Sequence, residues 1–307
     1  MFSLIIPYHN RREWLPRTLQ SVVLSSVRPA CVFLVDNGST DGSAQVCEEF
    51  AARHPDYPFV LLSEPRLGAC RARNAALRRV QTEWVYFFDS DDELSPDYFR
   101  DVQRIITRNP NLDMVLCPTR MVFEDGSEKV RAVRYSGSVA HQILLSQLAT
   151  QGIFVRTELL RRIGGWNEVL PKWNDWELGV RLLWARPRLQ WLPSPYHRIY
   201  QHPESLTGAS FAGTLNRLLP ALQTVFDLVR SNKIVRNALA ARIAILAGQL
   251  KHQGSAAEAQ TLLEWAKEKH LYSNHFITSP HLHFLYTYAA LGGRGAWRIA
   301  LVGCGEE

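Results

Sequence analysis

Up to about residue 120 the chain alternates short β-branched or aromatic runs with segments whose apolar residues recur at helical spacing. This alternation confines it to an α/β layout. The runs Phe2–Pro7, Cys31–Asp36, Phe59–Ser63, Trp84–Asp89 and Met114–Pro118 read as strands. Between them, Glu13–Ser25, Ser43–Arg53, Ala69–Val80 and Ser95–Arg108 each gather apolar residues on one helical face. Ser95 and Pro96 offer a capping hydroxyl and a proline suited to the first helical position, so the fourth helix is expected to start there. The unbroken apolar run Trp84-Val85-Tyr86-Phe87-Phe88 suits a strand covered on both faces, which argues for a largely parallel sheet.

From about Arg120 the texture changes. Met121–Tyr135 reads as a hairpin turning at Glu124-Asp125-Gly126-Ser127. A strand at Gly152–Arg156 leads to a helix with Thr157 as its cap and Gly164 just past its end. A second helix at about Asp175–Ala185 precedes extended runs around Leu189–Gln201. Beyond Gly208 the pattern is helical, near Leu215–Val229, Ile234–Lys251, Ala256–His270 and His281–Leu291. The expected division is a catalytic domain over 1–207 and a helical region over 208–307.

Composition narrows the class. Apolar stretches such as Ile234–Leu250 are interrupted by Arg236 and Arg242, so no bilayer span is expected. Phe2–Pro7 opens directly as a strand without a basic leader, so no signal peptide is expected. Five cysteines without a C-x-x-C pair suit reduced, mostly buried thiols and a cytoplasmic setting. The net charge of +6 is concentrated late, with 10 Lys+Arg against 6 Asp+Glu in residues 208–307. That surplus suits either a solvated helical face or peripheral contact with the inner face of an anionic membrane; no nucleic-acid partner is expected.

Three segments carry chemistry. In the first, the buried run 84–88 ends in Asp89-Ser90-Asp91-Asp92. Open α/β sheets bind ligands beyond the carboxyl ends of their strands, which is where these acids arrive. Carboxylates this close repel one another unless a cation or hydrogen-bond donors offset them, and all-oxygen donors favour Mg²⁺ or Mn²⁺. An exposed acidic turn is the structural alternative. In the second segment, Val32–Val35 ends in Asp36-Asn37-Gly38-Ser39-Thr40-Asp41-Gly42-Ser43. Asp36 is placed to accept a hydrogen bond from a base or ribose, whereas Asp41 and Ser43 suit capping of the next helix. In the third, Gly68 opens a helix bearing Arg71, Arg73 and Asn74, whose N-terminus suits an anion.

Together these segments resemble family 2 of the glycosyltransferases, over roughly residues 1–205. Leu4-Ile5-Ile6-Pro7-Tyr8-His9-Asn10 is similar to its first strand and donor-base loop. Val35–Gly42, Gly68 with Ala72-Arg73-Asn74, and Asp89–Asp92 are similar to its next three motifs. The resemblance implies the GT-A fold, a Rossmann-like mixed, mainly parallel sheet with helices on both faces, followed here by the helical C-terminal region. It implies that Pro7, Tyr8 and Asp36 line a nucleotide-base pocket for uracil, and that Gly68 and Arg73 border the nucleotide. Asp89 and Ser90 would lie at the ribose or metal. Asp91, with Asp89 and His202, would hold Mn²⁺ or Mg²⁺.

Further on, Gly164–Glu168 and Trp173–Leu178 resemble the acceptor-side motif. The family has Glu-Asp where this chain has Asn174-Asp175, which keeps the general base, Asp175, and leaves an auxiliary acceptor contact in doubt. Trp173 and Trp176 are expected beside the acceptor, although core packing suits tryptophan equally. Tyr200–Thr207 resembles the closing segment that brings His202 to the site. The implied activity is inverting transfer of one sugar per encounter from a UDP-sugar to a hydroxyl of a glycan or lipid-linked acceptor. A sugar nucleotidyltransferase would carry a glycine-rich loop where His9-Asn10-Arg11-Arg12 stands. A non-catalytic nucleotide-sugar binder would lack Asp175.

Overall fold

A computed structural model describes residues 1–131, 133–201, 211–272 and 279–303. The chain forms two compact units that interleave along the sequence. The first comprises Met1–Tyr135, Leu148–Glu168 and Ala185–Ser205; the second comprises Ser136–Gln147, Val169–Trp184 and Leu206–Glu307. The chain therefore passes between them five times. The second unit draws on two segments from within 1–207 as well as on the C-terminal region.

The first unit is built on a seven-stranded sheet. Its strands are β1 (Phe2–Tyr8), β2 (Cys31–Asp36), β3 (Phe59–Ser63), β4 (Trp84–Phe87), β6 (Met114–Leu116), β9 (Ile153–Arg156) and β10 (Leu189–Trp191). Their order is β10-β6-β9-β4-β1-β2-β3. β9 runs antiparallel to both its neighbours and every other pairing is parallel, so the sheet is mixed and mainly parallel as expected. Helices α1 (Leu15–Val23), α2 (Ser43–Arg53), α3 (Ala69–Leu77), α4 (Tyr98–Arg108) and α6 (Thr157–Arg162) accompany it. The alternate residues Phe2, Leu4, Ile6 and Tyr8 of β1 share one core with Leu15, Leu19 and Val22 of α1 and Phe50 of α2. Coverage of both faces holds for the central strands. It fails at β3, the sheet edge, where Val60 and Leu61 are exposed.

A smaller sheet, β5-β11-β7-β8, joins β5 (Glu93–Leu94), β7 (Arg120–Val122), β8 (Glu128–Val130) and β11 (His197–Tyr200). β7 and β8 form the expected hairpin. Two helix starts differ from expectation. α4 begins at Tyr98, because Glu93–Leu94 pairs as β5 and the Ser95 carbonyl accepts the Tyr98 amide in a turn. Thr157 is the first residue of α6, not its cap, and its hydroxyl donates to the Thr82 carbonyl at 2.8 Å. Cys47, Cys70 and Cys117 are buried and Cys31 half-buried, all as free thiols; Cys304 lies outside the described residues.

The second unit is helical: α5 (Val139–Leu145), α7 (Asn174–Trp184), α8 (Leu215–Val229), α9 (Lys233–His252), α10 (Ala256–Glu268), α11 (Pro280–Ala290) and α12 (Ala296–Gly303). α9 is its axis, packed by α5, α8, α10, α11 and α12. The small residues Ala240, Ala241, Ala244, Ala247 and Gly248 on α9 permit this close approach. A Cβ on Gly248 would lie 2.7 Å from that of Ala289 on α11, closer than carbon atoms can pack. α5 and α12 carry no clear signal in the sequence, being short and without a full amphipathic repeat. Among the described residues no helix is long and apolar enough to cross a membrane.

Candidate active site

Strand order selects the place. From β1 the chain adds β2 and β3 on one side, then β4 on the other, so the topological switch falls between β1 and β4. Ligands of open α/β sheets bind in the crevice beyond the carboxyl ends of strands at such a switch. The loops leaving β1, β2 and β4 at that edge begin at His9, Asn37 and Phe88.

The first two loops are stitched together by side chains. Asn10, at a φ of +51° that asparagine tolerates, accepts the Thr40 amide on its side-chain oxygen at 2.8 Å. Its own backbone amide donates to the Ser39 hydroxyl at 3.1 Å. Asp36 accepts the Ser39 amide at 3.0 Å, closing an Asx turn at the end of β2. Asp41 accepts the amide of Ser43, the first residue of α2, at 2.9 Å, which closes the expected Asx turn; the cap position itself is taken by Gly42 at φ +89°, not by Asp41 or Ser43. Asn37 is buried. Its amide nitrogen donates to the carbonyls of Glu64 and Arg66, and its oxygen accepts the Gly68 amide at 2.7 Å. Gly68, at φ +134°, holds the conformation that lets α3 begin there.

The acidic turn after β4 is braced from several elements. The Thr18 hydroxyl of α1 lies within hydrogen-bonding distance of the carbonyls of Ser90 (3.0 Å) and Asp92 (2.8 Å). The Ser21 hydroxyl accepts the Leu94 amide. Asp89 accepts the Arg73 guanidinium at 2.7 Å through one oxygen and the Gln151 amide at 2.7 Å through the other. The same Gln151 amide reaches Asp92, which also accepts the Tyr200 amide at 3.0 Å. Asp91 faces Arg11, with Nε 3.2 Å from Oδ2, and its carbonyl accepts the Arg17 guanidinium. Asp92 is buried, and burial, reinforced by repulsion from Asp91 and Asp89, pushes its carboxyl well above the usual carboxylate range. The acids of the turn are thus offset by Arg11, Arg73 and the Gln151 amide.

Behind Gln151 lies a buried relay. The Tyr86 hydroxyl donates to the Gln151 carbonyl at 2.7 Å and lies 2.9 Å from Nε2 of His197. A hydroxyl has one proton, so His197 carries its own on Nε2 and donates it to Tyr86. Nδ1 is buried and has no partner among the described residues. Burial pulls the His197 pKa down to about 3, whereas an unfolded histidine titrates near 6.5. The unfolded chain therefore takes up a proton that the fold refuses. The stabilising effect is complete above about pH 6.5 and is lost as the pH falls toward 3, with a slope of up to about 1.4 kcal/mol per pH unit. His197→Phe keeps the ring and the Tyr86–Gln151 bond. Urea midpoints measured at pH 7.5 and pH 5 should fall less with acid in this variant than in the wild type. Identical pH dependence would rule out His197 as the source.

Arg73 and Asn74 divide the labour of the third motif. The Arg73 guanidinium is buried, lies over the Trp166 ring at 4.3 Å and pairs with Asp89. Asn74 serves a neighbouring loop instead. Its amide donates to the Trp166 carbonyl (2.8 Å) and to Glu168 (2.9 Å), and its oxygen accepts the Trp166 amide (2.9 Å). Gly165 is required beside it, at φ +69° with Asn74 2.8 Å from where a Cβ would sit. Asn74 therefore clamps the Gly165–Glu168 loop, which seats Trp166 under Arg73.

In the second unit, Asp175 is half-buried in the first turn of α7 and accepts the Trp176 amide at 2.8 Å. Trp173, just before α7, has a φ of +59°, a backbone state that costs a bulky residue on the order of 1–3 kcal/mol. Its ring carries the Arg242 guanidinium at 4.9 Å and meets Trp176 at 5.1 Å. Trp176 does not present a stacking face. It is 1% exposed, and its indole donates to the Ile143 carbonyl, so it belongs to the helical core. Glu177 is fully buried in a two-pronged pair with Arg181.

The family model for glycosyl transferase family 2 matches residues 3–164. The chain belongs to that family. It is 26% identical over 190 residues to an uncharacterized glycosyltransferase of Haemophilus influenzae, covering 60% of this chain and 62% of that protein. It is 28% identical over 185 residues to the minor teichoic acid biosynthesis protein GgaA of Bacillus subtilis, covering 57% of this chain and 41% of that one. In both cases it spans less than two thirds of the relative. Among solved structures it resembles S. aureus TarS 1-349 in complex with UDP-GlcNAc, with a TM-score of 0.72, 17% identity and coverage of 98% and 91%. It also resembles the Pyrobaculum calidifontis mannosyltransferase PcManGT in complex with GDP-Man and Mn²⁺, with a TM-score of 0.57, 16% identity and coverage of 98% and 86%. The fold is the GT-A fold, shared with these structural neighbours.

The family 2 motifs lie together at one edge of the first unit: Pro7 and Tyr8 at the end of β1, Asp36 at the end of β2, Gly68 and Arg73 at α3, Asp89 to Asp91 after β4. Tyr8 departs from expectation. It is 4% exposed, and its side chain joins the core that holds Leu15 of α1 and Phe50 of α2, because it shares the inward face of β1 with Leu4 and Ile6. Trp173, Trp176 and Asp175 lie in the other unit. His202 lies outside the described residues. No group of three or more acidic, histidine or cysteine side chains able to hold a metal occurs among the described residues. The oxygen donors of Asp91 and Asp89 fit a divalent cation of the Mg²⁺ type, which takes one or two carboxylates and completes its shell with phosphate and water. Arg11, Thr18 and Gln151 stand outside the motifs, and Tyr200 lies in the closing segment without a sign of its bond to Asp92.

Proposed function

We propose that this chain moves a sugar from a UDP-sugar to a hydroxyl of a glycan or lipid-linked acceptor by a single inverting displacement. The observation that carries the reading is the convergence, at the switch between β1 and β4, of the β1 and β2 loops with an acidic turn braced by Arg73 and Gln151. Asp36 and Pro7 border the base and ribose, and Gly68 and Arg73 flank the nucleotide, with Ser90 fixing the turn that carries Asp89 and Asp91. Asp91 and Asp89 would hold a Mn²⁺ or Mg²⁺ ion, with His202 as the further ligand that the family resemblance implies, and the ion would supply positive charge to offset that developing on the leaving diphosphate. Asp175 accepts the acceptor hydroxyl's proton as its oxygen bonds to the anomeric carbon and the bond from that carbon to the diphosphate oxygen breaks. UDP departs with the electron pair. No covalent enzyme intermediate forms, and one sugar moves per encounter. Trp173 borders the acceptor.

The name of the Bacillus subtilis relative, minor teichoic acid biosynthesis protein GgaA, supports a cell-surface glycan as acceptor. The basic surplus of residues 208–307 suits work on the cytoplasmic face of a membrane that carries such an acceptor. The test is release of free UDP from a panel of UDP-sugars with Mn²⁺, with and without glycan acceptors. UDP release that depends on both donor and acceptor is the expected result. Tight UDP-sugar binding without release under any acceptor would mark a binder, and pyrophosphate-dependent formation of UTP would mark a nucleotidyltransferase.

A further inference from the structure

We propose that Arg11 is a displaceable counter-ion of Asp91 that couples cation binding to nucleotide binding. The proposal rests on the metal-dependent reading above and adds a residue that the motifs do not contain.

The partners of the acidic turn differ in how firmly they are held. Arg73, opposite Asp89, is buried, seated over Trp166 and 2.7 Å from its carboxylate. Gln151, which bridges Asp89 and Asp92, is buried and fixed through its own carbonyl by Tyr86. Arg11 stands on the loop after β1. It is 21% exposed, lies 3.2 Å from Asp91, and also touches the Asn10 carbonyl (3.0 Å) and the Trp14 ring (5.2 Å) close to it in the chain. Of Arg11 and Arg73, it is the one that can swing from its carboxylate without unpacking a core side chain.

A guanidinium and a divalent cation compete for the Asp91 carboxylate, because each is held mainly by the same negative charge. A diphosphate offers the guanidinium a second destination of matching geometry. Arg11 and Asp91 meet just beyond the carboxyl ends of β1 and β4, at the switch point where that diphosphate is expected. A cation arriving alone must evict Arg11 from Asp91. A nucleotide diphosphate draws Arg11 toward its phosphates and clears the carboxylate. Each ligand then raises the affinity for the other by the same factor, over and above direct contact between cation and phosphate.

The experiment measures binding of Mn²⁺ alone, of UDP alone and of each in the presence of the other, by titration calorimetry with Mn²⁺ electron paramagnetic resonance as a second readout. The proteins are the wild type, Arg11→Met and Arg11→Lys, each confirmed folded by its melting curve. Arg11→Met should bind Mn²⁺ alone about tenfold more tightly than the wild type and UDP alone more weakly, with the coupling factor reduced by about the same tenfold. Arg11→Lys, which keeps a charge without the planar fork, should fall between them. Unchanged or weaker Mn²⁺ binding by Arg11→Met, with UDP-dependent Mn²⁺ binding intact in the wild type, overturns the proposal while leaving the metal site standing. Failure of the wild type to take up Mn²⁺ even with saturating UDP overturns the metal-dependent reading and this proposal with it.

Discussion

Asp175→Asn should lower turnover about 10²–10⁴-fold, the usual contribution of a general base, while UDP-sugar affinity in the presence of Mn²⁺ stays nearly unchanged. A sugar hydroxyl is a poor nucleophile until its proton leaves, and an amide cannot take that proton. The substitution is otherwise mild. Asparagine keeps the side-chain oxygen that accepts the Trp176 amide at the start of α7. The neighbouring acids are poor substitutes. Glu177 is fully buried against Arg181, and Glu168 accepts the Asn74 amide that holds its loop. Steady-state kinetics with a calorimetric donor titration decide the matter. Near-normal turnover would exclude Asp175 as the base, and a parallel loss of donor affinity would make it a structural residue of α7.

Asp91→Ala should abolish the cation-dependent part of nucleotide binding. In the wild type, UDP at a hundredfold excess over its dissociation constant with Mn²⁺ should stabilise the fold by about 2.7 kcal/mol, which for a chain of this size raises the melting temperature by roughly 5 °C or more. With EDTA the UDP shift should be small. In Asp91→Ala the shifts with Mn²⁺ and with EDTA should coincide at the small value. The residue lies in a half-buried turn already held by Thr18 and Gln151, so its loss should leave the ligand-free melting temperature close to that of the wild type. Equal UDP shifts with EDTA and with Mn²⁺ in the wild type would remove the metal from the mechanism.

The parts of the fold that could be read in advance are those fixed by local pattern. β2, β3, α2 and α8 match their expected limits because apolar periodicity and turn residues agree at both ends. α4 was misplaced because Ser95-Pro96 is a good helix entrance locally, whereas pairing of Glu93–Leu94 with β11, about a hundred residues later, takes the backbone first. The site divides in the same way. Asp36, Arg73, Asp89 and Asp91 stand in compact motifs at strand ends and helix starts. Gln151 and His197 stand in no motif and Tyr200 only opens the closing segment, so the fold alone brings them to the acidic turn. Arg11 directly follows the first motif, but its meeting with Asp91 depends on the pairing of β1 with β4, which no local pattern states. Trp176 shows the opposite error: a tryptophan beside an expected base invites a stacking role, but an apolar helix start needs a core side chain as much.

The interleaving of the two units bears on the order in which a ribosome delivers them. α5 is made long before α9, the helix it packs against, and α7 before its neighbour α8. At bacterial-scale rates the wait between α5 and α9 is on the order of 10 s, far longer than a helix needs to form or a chain to collapse. During that wait the apolar faces of Ile143, Leu144 and Trp176 have no finished partner, and for the first part of it the large sheet still lacks β10. Neither unit can be completed on the nascent chain before the other has begun. A chain arrested shortly after residue 184 should therefore be a substrate for trigger-type chaperones, and a gene fragment ending there has no reason to yield a soluble half.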